Sequence, residues 1–208
     1  MFRKQKTIIS SSKYYDTFDF FLIGDENTGK TCLLNRYCYD YYSSYKKRKR
    51  KPEIFKISTT SNNQEFKLQF WDFEFTEDTI ESNKKIIEKS DGIIFVCSYT
   101  DKESLKRVTY WHKLLNPIID LSKKQIVIFV NKNDLEDDIV VSDDDVKRIC
   151  NEFNTDHYSM SARTGKGVKK AFGEFAQRVI YKVYTKYNNK YNEISSNEGK
   201  NKENCCII

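Results

Sequence analysis

The sequence predicts a doubly wound α/β fold with a mainly parallel sheet and helices on both faces. Three observations predict it. Strand-like and helix-like stretches alternate along the chain. Two stretches, GIIFVCSY at 92–99 and IVIFVN at 126–131, are continuous β-branched and aromatic runs, the pattern of strands covered on both faces. The stretch GDENTGKT at 24–31 follows an apolar run and opens a helical one, the strand–loop–helix setting of a phosphate-binding turn.

Taken in order, Phe18–Ile23 reads as a short apolar strand and Thr31–Tyr39 as the helix behind the glycine loop. FKLQFW, Phe66–Trp71, alternates apolar and polar residues as a half-buried strand does. After the run at 92–99, Leu105, Val108, Trp111 and Leu115 share one helix face. Val146, Ile149 and Phe153 mark the next helix, and Ser142, three residues before Asp145, predicts a capping box at its start. Val168, Ala171, Phe172, Phe175 and Val179 mark the last helix. From residue 185 the chain is polar and poor in apolar residues, which predicts a tail without a packed core. The expected organisation is an extension at 1–16, one domain at 17–184 and a tail at 185–208.

The bulk properties agree. A chain of 208 residues suits one domain with tails. No apolar run approaches the roughly 20 residues that span a bilayer, and MFRKQKTIISSSKYYD lacks the apolar stretch of a secretory signal. The expectation is a soluble intracellular body. The cysteines at 32, 38, 97, 150, 205 and 206 form no CxxC pair, and His112 and His157 stand apart, which argues against a structural zinc site. Cys32, Cys97 and Cys150 lie in apolar patterns and read as small buried hydrophobes.

GDENTGKT fits G-x-x-x-x-G-K-[ST]. Gly24 and Gly29 let backbone amides converge on phosphates, and the helix N-terminus adds positive potential. Lys30 supplies a cation to the β- and γ-phosphates, and the Thr31 hydroxyl supplies a ligand to Mg²⁺. The base is chosen elsewhere. FVNKND at 129–134 closes a strand, so its side chains emerge at the carboxyl edge of the sheet. Asp134 can accept from guanine N1–H and the exocyclic amine, a donor pair adenine lacks. Asn131 can tie this loop to the glycine loop, and the stem of Lys132 can cover a face of the base. Ser161, Ala162 and Arg163 follow another short apolar segment and could offer a backbone amide to guanine O6.

With these motifs in order, the chain resembles the small GTPases of the Ras superfamily, nearest the Rab branch. GDENTGKT, LQFWD, NKND and SAR occur in the family's order, and CLLNRY, SDGIIFVCSYTDKES and the terminal CCII are also similar. The resemblance covers about residues 17–184 and the last four. It implies a six-stranded sheet, GTP and GDP as ligands, and Mg²⁺ held by Thr31 and Asp72. It implies nucleotide contacts from Gly24, Glu26, Asn27, Thr28, Gly29, Lys30, Thr31 and Cys32, and from Asn131, Lys132, Asp134, Ser161, Ala162 and Arg163. It puts Tyr37 where the family has an aromatic over the guanine. It also implies effector and regulator proteins at residues 45–57 and 73–85.

The chain departs from the family at the γ-phosphate. Where the family reads D-T-A-G-Q-E, this chain reads DFEFTE. Phe75 stands at the usual Gly, whose small size lets an N–H approach the γ-phosphate. Thr76 stands at the usual Gln, which orients the attacking water. Between Ser44 and Ser58 there is no Ser or Thr to reach Mg²⁺ and the γ-phosphate. That segment instead carries KKRKRK at 46–51, part of a net charge of +6. Its setting favours a partner or acidic surface, then a passive solvated loop, over nucleic acid. Glu26 replaces a small residue. If about 5 Å from the γ-phosphate at an effective dielectric of about 20, it would cost GTP roughly 3 kcal/mol per phosphate charge; pointing to solvent, it would matter little.

Cys205 and Cys206, at the end of a polar tail, read as a prenylation site, with prenyltransferase and escort or extraction proteins as implied partners. One lipid anchors marginally, and four Lys against three Glu from Thr185 onward give the tail little charge to help. The sequence therefore leads to a slow GTPase switch in vesicle traffic, on the cytoplasmic face of an intracellular membrane with a cytosolic pool. The alternative is a pseudo-GTPase scaffold whose nucleotide is structural. NKND and SAR argue against a P-loop kinase.

Overall fold

The computed structural model describes residues 17–44, 53–61, 64–72, 74 and 76–183. The chain runs β1 (Thr17–Ile23), α1 (Lys30–Tyr39), β2 (Glu53–Ser61), β3 (Gln64–Asp72), α2 (Glu77–Glu88), β4 (Gly92–Ser98), α3 (Lys102–Leu115), β5 (Gln125–Asn131), α4 (Asp143–Phe153) and β6 (Asp156–Ser159). A last helix, α5, covers residues 168–183. The six strands form one sheet in the order β2-β3-β1-β4-β5-β6. β2 is antiparallel to β3, and the other neighbours are parallel.

The burial explains the sequence pattern. In β1, Phe18, Phe20 and Leu22 join Leu33, Leu34, Phe172 and Phe175 on one face of the sheet. Phe21 and Ile23 join Ile80, Leu105, Trp111 and Val146 on the other. A strand covered on both faces has no polar face, so period-2 alternation is hidden in an apolar run. All seven residues of β4 are buried for this reason. The expected capping box at Ser142 and Asp145 is present at the start of α4.

β2 was not expected as a strand. Its alternation is there: Phe55 is buried and Ile57 half-buried, while Ile54, Lys56 and Ser58 are exposed. The polar outward positions and the basic run before it mask the inward row. Residues 53–57, expected within a partner-binding loop, are thus paired to β3 from Glu53↔Asp72 onward.

The register sets up the ligand edge. Ile23 lies beside Phe95, and Ser98 beside Asn131. The loops after β1 and β5 therefore leave the sheet at the same edge, where doubly wound folds bind ligands. Among the described residues, no helix is long and apolar enough to cross a membrane. The expectations for the extension, the basic run at 46–51, Phe75, the tail, Cys205 and Cys206 lie outside the described residues.

Candidate nucleotide-binding site

The glycine loop is packed against the sheet by its two glycines. A Cβ on Gly24 would lie 2.1 Å from the Val96 carbonyl oxygen, and one on Gly29 would lie 2.2 Å from Asn131 Nδ2. Gly29 also has φ 95°, in the left-handed region that side chains avoid. Both positions need glycine for close approach to neighbouring strands, which fixes the loop as a cradle. Lys30 Nζ donates to the carbonyls of Gly24 at 2.6 Å and Asp25 at 2.8 Å. Burial pushes the Lys30 amine below its usual range, opposed by the carboxylates of Asp72, Asp25, Glu26 and Glu74. Thr31 follows at the first turn of α1, half-buried. Asp72 closes β3, 2% exposed. Glu26 and Asn27 are exposed, and Glu26 stands near enough to act on Lys30.

Asn131 joins three loops. Its Nδ2 donates to the Thr28 carbonyl at 2.9 Å, and its Oδ1 accepts from the Ala162 amide at 3.0 Å. Thr28 closes its own turn by donating from Oγ1 to the Asp25 carbonyl at 2.9 Å. The expected tie between base loop and phosphate loop is therefore built, and it extends to the segment 161–163. The amides there are partly committed: Ser161 N–H donates to the Lys166 carbonyl and Ala162 N–H to Asn131. Arg36, which the sequence reading passed over, fixes the same segment from α1. Its Nε donates to the Ala162 carbonyl at 3.0 Å and its Nη2 to the Arg163 carbonyl at 2.9 Å. No local pattern signals a contact across 126 residues.

Lys132 has φ 68°, in the left-handed region, which turns the chain directly after β5 and ahead of Asp134. The Asp134 side chain is 12% exposed, with Arg163 Nη1 3.9 Å from Oδ2. A carboxylate held this far from water needs donors, and guanine offers two at the right spacing.

Tyr37 requires a correction. Its ring stacks on Phe172 at 4.5 Å and 11° and meets Phe70 edge-on at 5.6 Å. Burial raises its hydroxyl to a pKa of about 12. It belongs to the core under α1 and does not face a base. The sequence shows that α1 is a helix but not which neighbour claims each side. The chain doubles back after α1, where Cys32 Sγ donates to the Ser43 carbonyl at 3.5 Å. This returns Tyr42, partly buried against the same core, toward the phosphate-loop end of the helix.

Thr76 has a structural role. It is the N-cap of α2: its Oγ1 accepts from Thr79 N–H at 3.2 Å, and Thr79 Oγ1 accepts from Thr76 N–H at 2.7 Å. Thr79 Oγ1 also lies 3.0 Å from the Glu74 carbonyl as donor.

A glycine cradle with a half-buried lysine, stapled by Asn131 to a loop with a sheltered carboxylate, defines a P-loop nucleotide-binding protein. The comparisons carry this further. The family model described as "Ras family" matches residues 19–181. Ras-related protein SEC4 of Saccharomyces cerevisiae is 28% identical over 97% of this chain and 98% of its own. Ras-related protein Rab-1 of Theileria parva is 33% identical over 82% of this chain and 78% of its own. Ras-related protein Rab-13 of Rattus norvegicus is 28% identical over 83% of this chain and 85% of its own. The chain belongs to the Ras family of small GTPases, as a Rab-like member, and guanine-nucleotide binding follows from that membership.

Proposed function

We propose that the protein is a Rab-like guanine-nucleotide switch of membrane traffic whose GTP hydrolysis is weakened. The observation that carries the guanine reading is the Asn131 staple, which fixes the phosphate loop, the NKND loop and the 161–163 loop in one unit. Asp134 recognises the base edge and Lys30 the phosphates; Thr31 and Asp72 would hold Mg²⁺, which would supply charge neutralisation at the phosphates. With Tyr37 committed to the core, we assign the base-covering aromatic to Tyr42.

Weakened hydrolysis rests on Thr76. As an N-cap, its hydroxyl is engaged with Thr79 and is poorly placed to orient water. Phe75 at the usual Gly and the missing Ser or Thr at 45–57 act in the same direction. Effectors and regulators engage residues 45–57 and 73–85. The lipidated Cys205 and Cys206 hold the protein on the cytoplasmic face of an intracellular membrane, after handling by a prenyltransferase and escort proteins.

A pseudo-GTPase reading has one observation in its favour: the start of α2 is fixed by the chain's own Thr76–Thr79 capping box. Chromatography of the nucleotide released from purified protein, followed by single-turnover hydrolysis, separates the two. Bound GDP with slow, measurable cleavage supports the switch. Bound nucleotide with no cleavage supports the scaffold. Adenine nucleotide in the eluate would sink both.

A further inference from the structure

One contact of the phosphate loop serves neither base nor phosphate directly. Arg107 on α3 donates from Nε to Asp25 Oδ1 and Oδ2 at 3.1 and 3.2 Å. Trp111 Nε1 donates to the same Oδ1 at 2.8 Å. Arg107, Tyr110 and Trp111 are spaced i, i+3, i+4, so they share a helix face. The guanidinium lies 3.9 Å from the Tyr110 ring centre and 4.8 Å from that of Trp111, which fixes its plane. Asp25 is thus held at both ends. Its carbonyl accepts from Lys30 Nζ and Thr28 Oγ1, while its side chain is drawn to α3.

The charges around Lys30 say why this matters. The carboxylates of Asp72, Asp25, Glu26 and Glu74 all act on its amine. One lysine among four carboxylates is a poor host for a di- or triphosphate. Two of them, Glu26 and Glu74, are exposed, where water and salt screen them. Asp72 sits beside the expected metal position. Asp25 lies in the loop itself, and Arg107 faces its carboxylate.

We infer that Arg107 is a positioning residue for the nucleotide phosphates: by holding and neutralising the Asp25 carboxylate against α3, it keeps that charge from opposing phosphate binding in the cradle. The inference rests on the guanine-nucleotide reading and adds a residue to it. A plain packing staple between loop and helix would use the same contacts, so the test must follow charge.

The test measures the affinity and release rate of fluorescent N-methylanthraniloyl-GDP in the full chain, at low and high salt. Arg107→Gln weakens binding about fivefold, about 1 kcal/mol, as expected for a partly exposed ion pair. The deficit shrinks at high salt. Arg107→Lys keeps most of the affinity. Adding Asp25→Asn to Arg107→Gln restores binding, because the charge that needed neutralising is gone. Unchanged binding by Arg107→Gln, or a double variant no better than the single one, overturns the inference. If Arg107→Gln does not fold, the double variant decides, since Asn and Gln can hydrogen-bond to each other: wild-type affinity supports the inference and weak binding overturns it. A wild-type protein that binds no GDP would remove the nucleotide reading and this inference together. Normal wild-type binding with an indifferent Arg107→Gln removes this inference alone.

Discussion

Asp134 is sheltered from water at the mouth of the site, and the exposed Arg163 guanidinium lies 3.9 Å from its carboxylate. Its carboxylate is an acceptor at both oxygens, matched to two donors on guanine. Asp134→Asn turns one acceptor into a donor, which faces guanine's exocyclic amine with the wrong sign and xanthine's oxygen with the right one. GDP affinity should fall about ten- to a hundredfold, the cost of leaving one or two buried polar groups unpaired, while xanthosine diphosphate binding improves. A competition titration with both nucleotides checks this, and an unchanged preference ends the assignment of Asp134. The two tyrosines separate packing from binding in the same way. Tyr37→Ala removes a ring stacked on Phe172 and should lower stability by about 2–3 kcal/mol, with GDP release changed little in the protein that remains folded. Tyr42→Ala should speed GDP release and, since Tyr42 is only partly buried against the core, lower stability less than Tyr37→Ala does when both are compared without nucleotide. Denaturant titrations paired with release rates distinguish the two, and the reverse pattern would return the base-facing role to Tyr37.

Helix α2 begins where it does because Thr76 and Thr79 satisfy each other's backbone amides. Thr76→Ala removes the side-chain acceptor and should cost about 1 kcal/mol locally, seen as faster hydrogen exchange over residues 77–88. The same box should make that exchange alike with GDP and with a non-hydrolysable GTP analogue, since a ligand shifts a conformation only by its differential affinity for two states. Strong GTP-dependent protection of α2 would show that the γ-phosphate is sensed by another route. The legibility of the elements follows from how local their causes are. The Ser142 box was readable, with an acidic partner three residues on. The TEDT box is hidden, because the residue three on from Thr76 is Thr79, in place of the acidic or amide side chain that marks a capping box. β4 and β5 were readable as doubly covered runs, whereas β2 hid a regular inward row behind Lys56 and a basic approach. Contacts between elements were the least legible. Arg36 reaches the 161–163 loop across 126 residues, and Arg107 reaches Asp25 across 82; nothing local marks either.

Across the whole molecule, the sheet separates a nucleotide edge from an opposite edge, and the opposite edge carries its own electrostatic strain. There Asp91 Oδ2 accepts from the Asp19 amide at 2.9 Å, while the Asp19 carbonyl accepts from the Asp91 amide. Asp19 Oδ1 is engaged by Trp71 Nε1 at 2.8 Å. Lys124 Nζ donates to the Glu88 and Ser90 carbonyls, both at 2.6 Å. Burial pushes the Asp91 carboxyl up to about 6; the Asp19 carboxylate adds to this, and the Asp19 amide and Lys124 oppose it. The ordinary value for the unfolded chain is 3.8. Between those two values the folded protein binds the proton more tightly than the unfolded one, so stability falls as pH rises through that window. The effect is fully present below about pH 4 as stabilisation by the neutral form, and it is lost by about pH 6–7. Asp91 is half-buried, and water reduces the penalty to about 1–2 kcal/mol. Asp91→Asn keeps an oxygen to accept from the Asp19 amide and removes the charge. Its melting temperature should match the wild type near pH 4 and exceed it by about 2–8 °C at pH 7, given the usual shift per kcal/mol for a domain of this size. The difference between the two melting curves reports the Asp91 charge together with its coupling to Asp19 and Lys124. Parallel curves from pH 4 to pH 7 would mean that Lys124 and the Asp19 amide already compensate the buried charge in full.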